Sequence, residues 1–337
     1  MSLATKYRPK TWEEMTEQSL VGKMLKSLCE SGLSNRNFLL IGPAGVGKTT
    51  FSKIIAREIN ENQGEPIELD AASHNGVEQM RDLVSQASLY PVGSKYKVFI
   101  LDECHALSQP AWQVLLKVLE ESPAKSVFIF CTTNPEKIPA TILSRVQTFQ
   151  LSKISLEGIT NRLKYVLDAE TSAGRNITYE DDAVRFIAKL ANGGMRDALT
   201  LLDKALVYSE TVSMKNLAEA LNLPNYDMYF ELLNACAKKD NKRITEIIDQ
   251  TYNSGVNFVK WFEGFHQFLI NIVKYILLKD INMTTIPSYY SDKVSAYSEA
   301  HMVVALKLSN KILELTHELK STQYLQEVAL TYLCVVK

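Results

Sequence analysis

The run "GPAGVGKTT", Gly42 to Thr50, fits the pattern G-x-x-x-x-G-K-[ST], follows a β-like apolar run and opens a helical one. Glycines at 42, 45 and 47 let the backbone curl, so that successive N–H groups from Gly42 through Gly45, Val46 and Gly47 to Thr50 face a polyphosphate. The helix N-terminus adds its dipole, Lys48 reaches the β- and γ-phosphates of ATP, and the Thr49 hydroxyl coordinates Mg²⁺. An ordinary Gly-rich strand-to-helix turn is the alternative; the motif length, its flanks and the Lys-Thr pair argue against it. About 50 residues on, "KVFILDECH" ends an apolar strand in Asp102-Glu103. Asp102 is then placed beside the metal, and Glu103, turned at the strand's end, can polarise an attacking water.

The next strand ends in "CTTN". A polar side chain there lies between the two preceding elements and can hold the water; Thr133 is the first choice and Asn134 the second, while Thr132 points to the other face. Asn134-Pro135 starting a turn is the competing reading for Asn134. In "NGGMRDALTLL", Arg196 falls in the first turn of a helix, where a cation opposes the helix dipole. That misfit points to an external anion such as a γ-phosphate, with a pair to Asp197 or another acid as the alternative. In "IPATILSRVQTF", Arg145 is the one charge, and the stretch itself does not decide between a local salt bridge and a reach to a neighbouring molecule.

These residues need elements to hold them. Strand-like runs at 37–41, 66–70, 97–102, 126–133 and 148–151 alternate with helical runs such as 48–59 and 110–121. The near-continuous apolar character of 97–102 and 126–130 suits strands buried on both faces of a parallel sheet, in a three-layer α/β domain over 1–151. After Leu151 the strand signal stops. A small helical domain is expected over 152–212 and an all-helical packing or assembly domain over 213–337, with long helices around 256–280 and 292–317 and loops at "LNLPNYD" (221–227) and "INMTTIPSYYSD" (281–292). A chain of 337 residues accommodates this many domains.

Composition sets limits on function. No apolar run approaches the roughly 20 residues that span a bilayer, so no membrane role is expected. The five cysteines show no C-x-x-C pair, which argues against a disulfide framework or a zinc site and for a reducing compartment. A formal charge of -1 means that any nucleic acid must be held by a local patch, by helix N-termini or by several copies together.

The P-loop, "FILDECHALS", "CTTNPEKIPATILSR" and "GGMRDALTLLDKA", in that order and preceded by "KYRPKTWEEM", resemble the AAA+ clamp-loader ATPases. The likeness is nearest to the gamma/tau subunits of bacterial DNA polymerase III, "LDAASHNGVEQMRDL" above all; the small subunits of replication factor C are further off. It covers about residues 4–207, and the remaining chain is similar only in being helical where that family has its collar. The resemblance implies an AAA+ domain with a helical lid, ATP and Mg²⁺ at the P-loop, and partners in a sliding clamp, primer–template DNA and other subunits of a pentameric ring. It implies metal binding by Thr49 and Asp102, an attacking water at Glu103, sensor 1 at Thr133 and sensor 2 at Arg196. Tyr7, Arg8 and Pro9, otherwise a solvated basic tail, would lie along the adenine, and Arg145 would contact ATP bound to the adjacent subunit. DNA contact would come from Ser73, His74 and Asn75 opening a helix at 76–88, and from Ser108 and Gln109 opening one at 109–121; plain N-capping is the alternative. "GSKYK" (93–97) reads as an exposed basic turn rather than a DNA contact.

The chain departs from that family's pattern in places. The interval "AREINENQGEPIELD" lacks the four cysteines of the family's zinc module, so no zinc is expected. Val146 replaces a motif cysteine, and Glu17 stands where a glycine is usual. The polymerase- and helicase-binding extensions of tau forms have no counterpart in these residues. A compact subunit acting in the cytoplasm of a bacterial cell, or of a host if phage-encoded, is the expectation. A non-hydrolysing structural subunit, or another replication motor such as a helicase loader or branch-migration ATPase, are the alternatives.

Overall fold

The computed structural model describes residues 1–31, 37–121, 125–221, 223 and 226–334. The expected loop at 221–227 lies partly outside the described residues. Two compact units emerge, one of Met1–Ile177 with Ile187–Glu210 and one of Thr178–Phe186 with Thr211–Lys337.

In chain order the first unit begins with α1 (Leu3–Lys6), α2 (Ser19–Glu30), β1 (Asn37–Ile41), α3 (Lys48–Ile59), β2 (Ile67–Asp70), α4 (Val77–Ala87) and β3 (Lys97–Asp102). It continues with α5 (Gln109–Glu121), β4 (Ser126–Thr132), α6 (Ala140–Leu143), β5 (Gln147–Gln150) and α7 (Leu156–Ser172). The five strands form one parallel sheet in the order β2-β3-β4-β1-β5. Every residue of β4, near the middle, is buried, as strands covered on both faces require. The period-two alternation sorts side chains into two layers. Phe99, Leu101, Phe128 and Phe130 share a core with α4 and α5 residues such as Met80, Trp112 and Leu115. Phe38, Leu40, Val98, Ile100 and Ile129 face the other way, into a core with Leu25 of α2 and Phe51 and Ile55 of α3. The sheet is therefore the middle layer of the α/β sandwich the sequence implies.

Strand register sets the site. Ile41 of β1 pairs with Thr132 of β4, and Leu101 of β3 pairs with Phe130, so the P-loop, Asp102 and Thr133 all leave the sheet at nearly one level of its C-terminal edge. That edge, beside a strand-order reversal, is where open α/β sheets bind ligands.

Beyond α7 come β6 (Thr178–Tyr179), α8 (Asp181–Leu190), α9 (Met195–Tyr208), β7 (Thr211–Val212) and α10 (Met214–Ala220). The strands β6 and β7 pair in parallel, Thr178 with Thr211 and Tyr179 with Val212, where the sequence shows no strand signal. Two residues are too few to display an alternation. The second unit continues with α11 (Tyr226–Lys238), α12 (Asn241–Asn253), α13 (Phe258–Leu278), α14 (Ser291–Ser295), α15 (Glu299–Leu319) and α16 (Leu325–Cys334). Its core is aromatic: Tyr229 meets Trp261 at 5.0 Å between ring centres and Phe230 meets Phe268 edge-on at 4.9 Å. The helix expected over 292–317 is instead two, because Ser298 is extended (φ -113°, ψ 178°) and forms a capping box with His301 that starts α15 afresh. The sequence reading also passes over α2, and it starts the helix after β2 one residue early, since α4 opens at Val77.

No helix among the described residues is long and apolar enough to cross a membrane. Among them, no group of three or more His, Cys, Asp or Glu is placed to hold a metal ion.

Candidate active site

The P-loop, the ends of β3 and β4, the N-terminal segment and the start of α9 surround one cavity of about 430 Å³ in the first unit. Lys48, buried at 6% exposure, donates from Nζ to the carbonyls of Gly42 and Pro43, each at 2.9 Å, which holds it inside the curl of its own loop. Gly42 has no alternative residue: a Cβ there would lie 2.6 Å from the Leu151 carbonyl oxygen. Gly45 (φ +73°) packs against Gly194 and the backbone of Arg196, which brings the P-loop against the start of α9.

The Thr49 hydroxyl donates to Asp102 Oδ2 at 2.6 Å. Glu103 takes the left-handed conformation (φ 47°, ψ 40°), uncommon for a side chain of this kind and worth about 1–2 kcal/mol of strain. Its N–H donates to Asp102 Oδ1 at 3.0 Å, and the turn brings both carboxylates to the cavity wall. Thr133 Oγ lies 3.2 Å from Glu103 Oε2 and 2.9 Å from Asn134 Oδ1, two acceptors for its one proton, so it stands beside Glu103. Thr132 is fully buried, and its hydroxyl accepts from the Asn134 N–H at 3.0 Å while meeting His105 Nδ1 at 3.1 Å. His105 also lies 3.3 Å from Glu103 Oε2, a neighbour that sequence reasoning does not anticipate.

Arg196 is exposed on the cavity wall and makes no ion pair among the described residues. Tyr7, Arg8 and Pro9 line the same cavity. They are tied down by a side chain that the sequence reading passes over, Glu170 of α7, which is only 5% exposed. Its Oε1 accepts from Lys6 Nζ at 2.5 Å and from the Tyr7 hydroxyl at 2.7 Å, and Arg175 lies 3.5 Å from its Oε2. Leu3 N–H donates to Asp203 of α9 at 2.8 Å, and Arg162 of α7 donates to the Tyr7 carbonyl at 3.1 Å. Burial and the Glu170 carboxylate push the Tyr7 hydroxyl up to about 12. The Lys6 hydrogen bond, followed by that of Tyr7, holds the Glu170 carboxyl below the usual carboxylate range despite burial. A lowered folded-state pKa stabilises the fold above the ordinary value of 4.5 and loses that contribution as pH falls through the lowered one. Glu170→Gln is expected to cost about 1–3 kcal/mol at neutral pH and to flatten the acid limb of a stability-against-pH curve followed by chemical denaturation. A variant that keeps the wild-type acid limb would remove Glu170 from this role.

Arg145 does not line the cavity of its own chain. Its guanidinium donates to Glu120 at 2.5 Å, to the Thr141 carbonyl at 2.7 Å and to Ser144 Oγ at 3.0 Å. Both partners of the ion pair are substantially exposed, 33% and 52%, so the pair is worth only about 0–1 kcal/mol.

The residues considered for DNA contact gather at one place. Ser73, His74 and Asn75 are exposed and precede α4 rather than opening it; the N-cap is Gly76, without a side-chain cap bond. Ser73 Oγ donates to Asp70 Oδ2, at the end of β2, at 3.0 Å. Ser108 accepts from the Ala111 N–H at 3.4 Å, a long capping bond, and its own N–H donates to the Asn75 carbonyl at 3.3 Å. Gln109 is exposed beside it.

Glu17, the departure from glycine, has φ +58° and its neighbour Gln18 φ +59°. The Glu17 carboxylate accepts the Ser155 N–H at 2.8 Å and the Ser155 hydroxyl proton. Met15 and Thr16 just before it line the cavity, as do Ile154 and Arg162, none of them foreseen.

A P-loop at the head of a parallel sheet, an Asp-Glu strand end and a helical lid bearing an arginine define an AAA+ nucleotide-binding fold. Structural comparison agrees at the level of fold: the Thermotoga maritima RuvB Holliday junction branch migration motor superposes with a TM-score of 0.54 over 68% of this chain and 78% of that one, at 20% identity. Two family models match, "DNA polymerase III, delta subunit" over residues 66–155 and "DNA polymerase III clamp loader subunit, ATPase lid domain" over 158–211. DNA polymerase III subunit gamma of Buchnera aphidicola from Schizaphis graminum is 34% identical over 278 residues, 76% of this chain and 75% of that protein. The corresponding subunit of the Baizongia pistaciae strain is 30% identical, covering 88% and 86%. Subunit gamma/tau of Mycoplasma genitalium is 34% identical over 301 residues, 82% of this chain but 50% of that protein, so the chain spans about half the length of that relative. The chain belongs to the DNA polymerase III gamma/tau clamp-loader subunit family.

Proposed function

We propose that the chain is an ATPase subunit of a sliding-clamp loader, acting in the cytoplasm as one member of a pentameric ring. The Thr49–Asp102 contact at 2.6 Å, with Glu103 turned beside it on the same cavity wall, carries this reading. Thr49 and Asp102 fit Mg²⁺, which takes a hydroxyl and one or two carboxylate oxygens and leaves its other positions to water and phosphate. Thr49 and Asp102 would hold the ion, which would offset the negative charge of the nucleotide's phosphates.

The chain's own groups do the rest. Lys48 exchanges its two carbonyl partners for phosphate oxygens. Glu103 accepts a proton from the attacking water, with Thr133 fixing the carboxylate and that water. Arg196 reaches the γ-phosphate from the lid, and Tyr7, Arg8 and Pro9 cover the base. Arg145 stabilises charge on ATP held by the next subunit, which couples assembly to hydrolysis. In this reading 1–151 binds nucleotide, 152–212 is the lid and 213–337 the collar through which subunits associate. ATP binding locks the ring around an open clamp and primer–template DNA; hydrolysis releases the clamp. Ser73, His74, Asn75, Ser108 and Gln109, joined through the Asn75–Ser108 bond, offer polar groups to the DNA backbone.

The test is the ATPase rate of the chain in its assembled complex, with and without a ring clamp and primed DNA. Stimulation by the two together beyond the sum of each alone is expected. A rate equal to that of Lys48→Ala under all conditions would leave a structural, non-hydrolysing subunit, and stimulation that ignores the clamp would point to another motor.

A further inference from the structure

We infer that the Glu17–Gln18 turn is a clasp that seats the lid helix α7 against the nucleotide cavity, with Glu17 a positioning residue for ATP. Two consecutive non-glycine residues in the left-handed region, φ 58° and 59°, persist only where their surroundings over-determine them. Here the surroundings are α7 and the segment leading into it. Ser155, whose N–H and hydroxyl both donate to the Glu17 carboxylate, is the N-cap of α7 and itself accepts the Gly158 N–H at 2.9 Å. A negative charge at a helix N-terminus is favoured by the helix dipole.

A second observation is independent of those bonds. A Cβ at Gly158 would stand 2.6 Å from Glu17 Oε1 and 2.8 Å from Cδ, so the carboxylate occupies space left by the missing side chain. Gln18 completes the grip: its Nε2 donates to the Ser152 carbonyl at 2.6 Å, and the Ser152 N–H donates to its Oε1 at 3.3 Å.

The residues leading into this turn line the nucleotide cavity. Met15 Cε lies 2.9 Å from the position a Cβ on Gly47 would take, and Met15 and Thr16 line the cavity. Ile154 and Arg162, on the gripped segment and α7, line it too. Residues 15–18 therefore touch the P-loop on one side and the first turn of the lid helix on the other. Releasing the clasp lets the lid segment sample arrangements that do not complete the cavity, and apparent ATP affinity falls with the fraction that does. Glu103 and Thr133 stand on other elements, and saturating ATP restores the seated lid that carries Arg196, so the rate of hydrolysis at saturation is nearly unaffected.

Because this inference rests on the nucleotide-binding reading, wild-type affinity for a fluorescent ATP analogue is measured first; no binding by wild type overturns both. With wild-type binding in place, Glu17→Gly is expected to raise Kd and KM for ATP about tenfold with kcat nearly unchanged. Hydrogen exchange at the Ser155 and Gly158 amides of the nucleotide-free variant should speed up, while its melting temperature changes little because the left-handed strain is relieved. Gly158→Ala should reproduce the rise in Kd alone and add nothing in the Glu17→Gly background. Wild-type affinity in Glu17→Gly, or additive effects of the two substitutions, would overturn the clasp and leave the ATPase reading standing.

Discussion

Replacing Glu103 with Gln is expected to leave ATP binding intact and to slow hydrolysis by about 10²–10⁴-fold, the range a general base supplies. The amide has the size of the carboxylate and can keep the contact with Thr133, which now spans 3.2 Å. It cannot take a proton. Thr49 and Asp102, which meet at 2.6 Å, are untouched, so metal and phosphate binding persist. The backbone stays left-handed at 103, and no strain is released to confuse the comparison. Single-turnover hydrolysis beside equilibrium ATP binding checks this: turnover at the wild-type rate would remove Glu103 as the base. Lys48→Ala, by contrast, should lose binding itself, since its ammonium is the buried cation at the phosphate curl.

Arg145→Ala should show its defect in the wrong place. Mixed rings that contain both Arg145→Ala and wild-type subunits are expected to bind ATP normally and to lose about 10³–10⁵-fold in hydrolysis at each wild-type site facing a mutant. The local geometry permits this. The pair with Glu120 is half-exposed and worth about 0–1 kcal/mol, too little to compete with a γ-phosphate in a site from which water is excluded. A loss that follows the mutant chain's own ATP, tracked by combining Arg145→Ala with Lys48→Ala in one subunit or in separate ones, would rule out the trans role.

The parts legible in the sequence were those whose physics is local. The P-loop, the Asp102-Glu103 strand end and Arg196 announce themselves because one short segment holds both the chemistry and the element that aims it. The long-range partners were not legible. Glu170 sits in helical phase with Leu163, Val166 and Leu167, so a charge on an apolar stripe was the visible signal, but its partners Lys6 and Tyr7 lie more than a hundred residues away in the chain. Glu17 reads in sequence only as a departure from a usual glycine, because its meaning depends on the space left at Gly158. Arg162 reads as an ordinary solvated helix residue until the N-terminal segment is laid against it. The two-residue strands β6 and β7 carry too little pattern to register, and the break before Glu299 turns on one extended serine.

The pairing of Thr178–Tyr179 with Thr211–Val212 has a consequence for how such a chain can be shuffled. The second compact unit is discontinuous, since a nine-residue stretch, Thr178–Phe186, belongs with the chain beyond Glu210. A single crossover that joined this chain's first 210 residues to a foreign tail would carry β6 away from its native strand partner. The hybrid would present unmatched backbone donors and acceptors at that seam. Exchange that preserves the pair needs two breakpoints or a junction displaced past Val212, so recombination is channelled by four residues, none of which lines the nucleotide cavity.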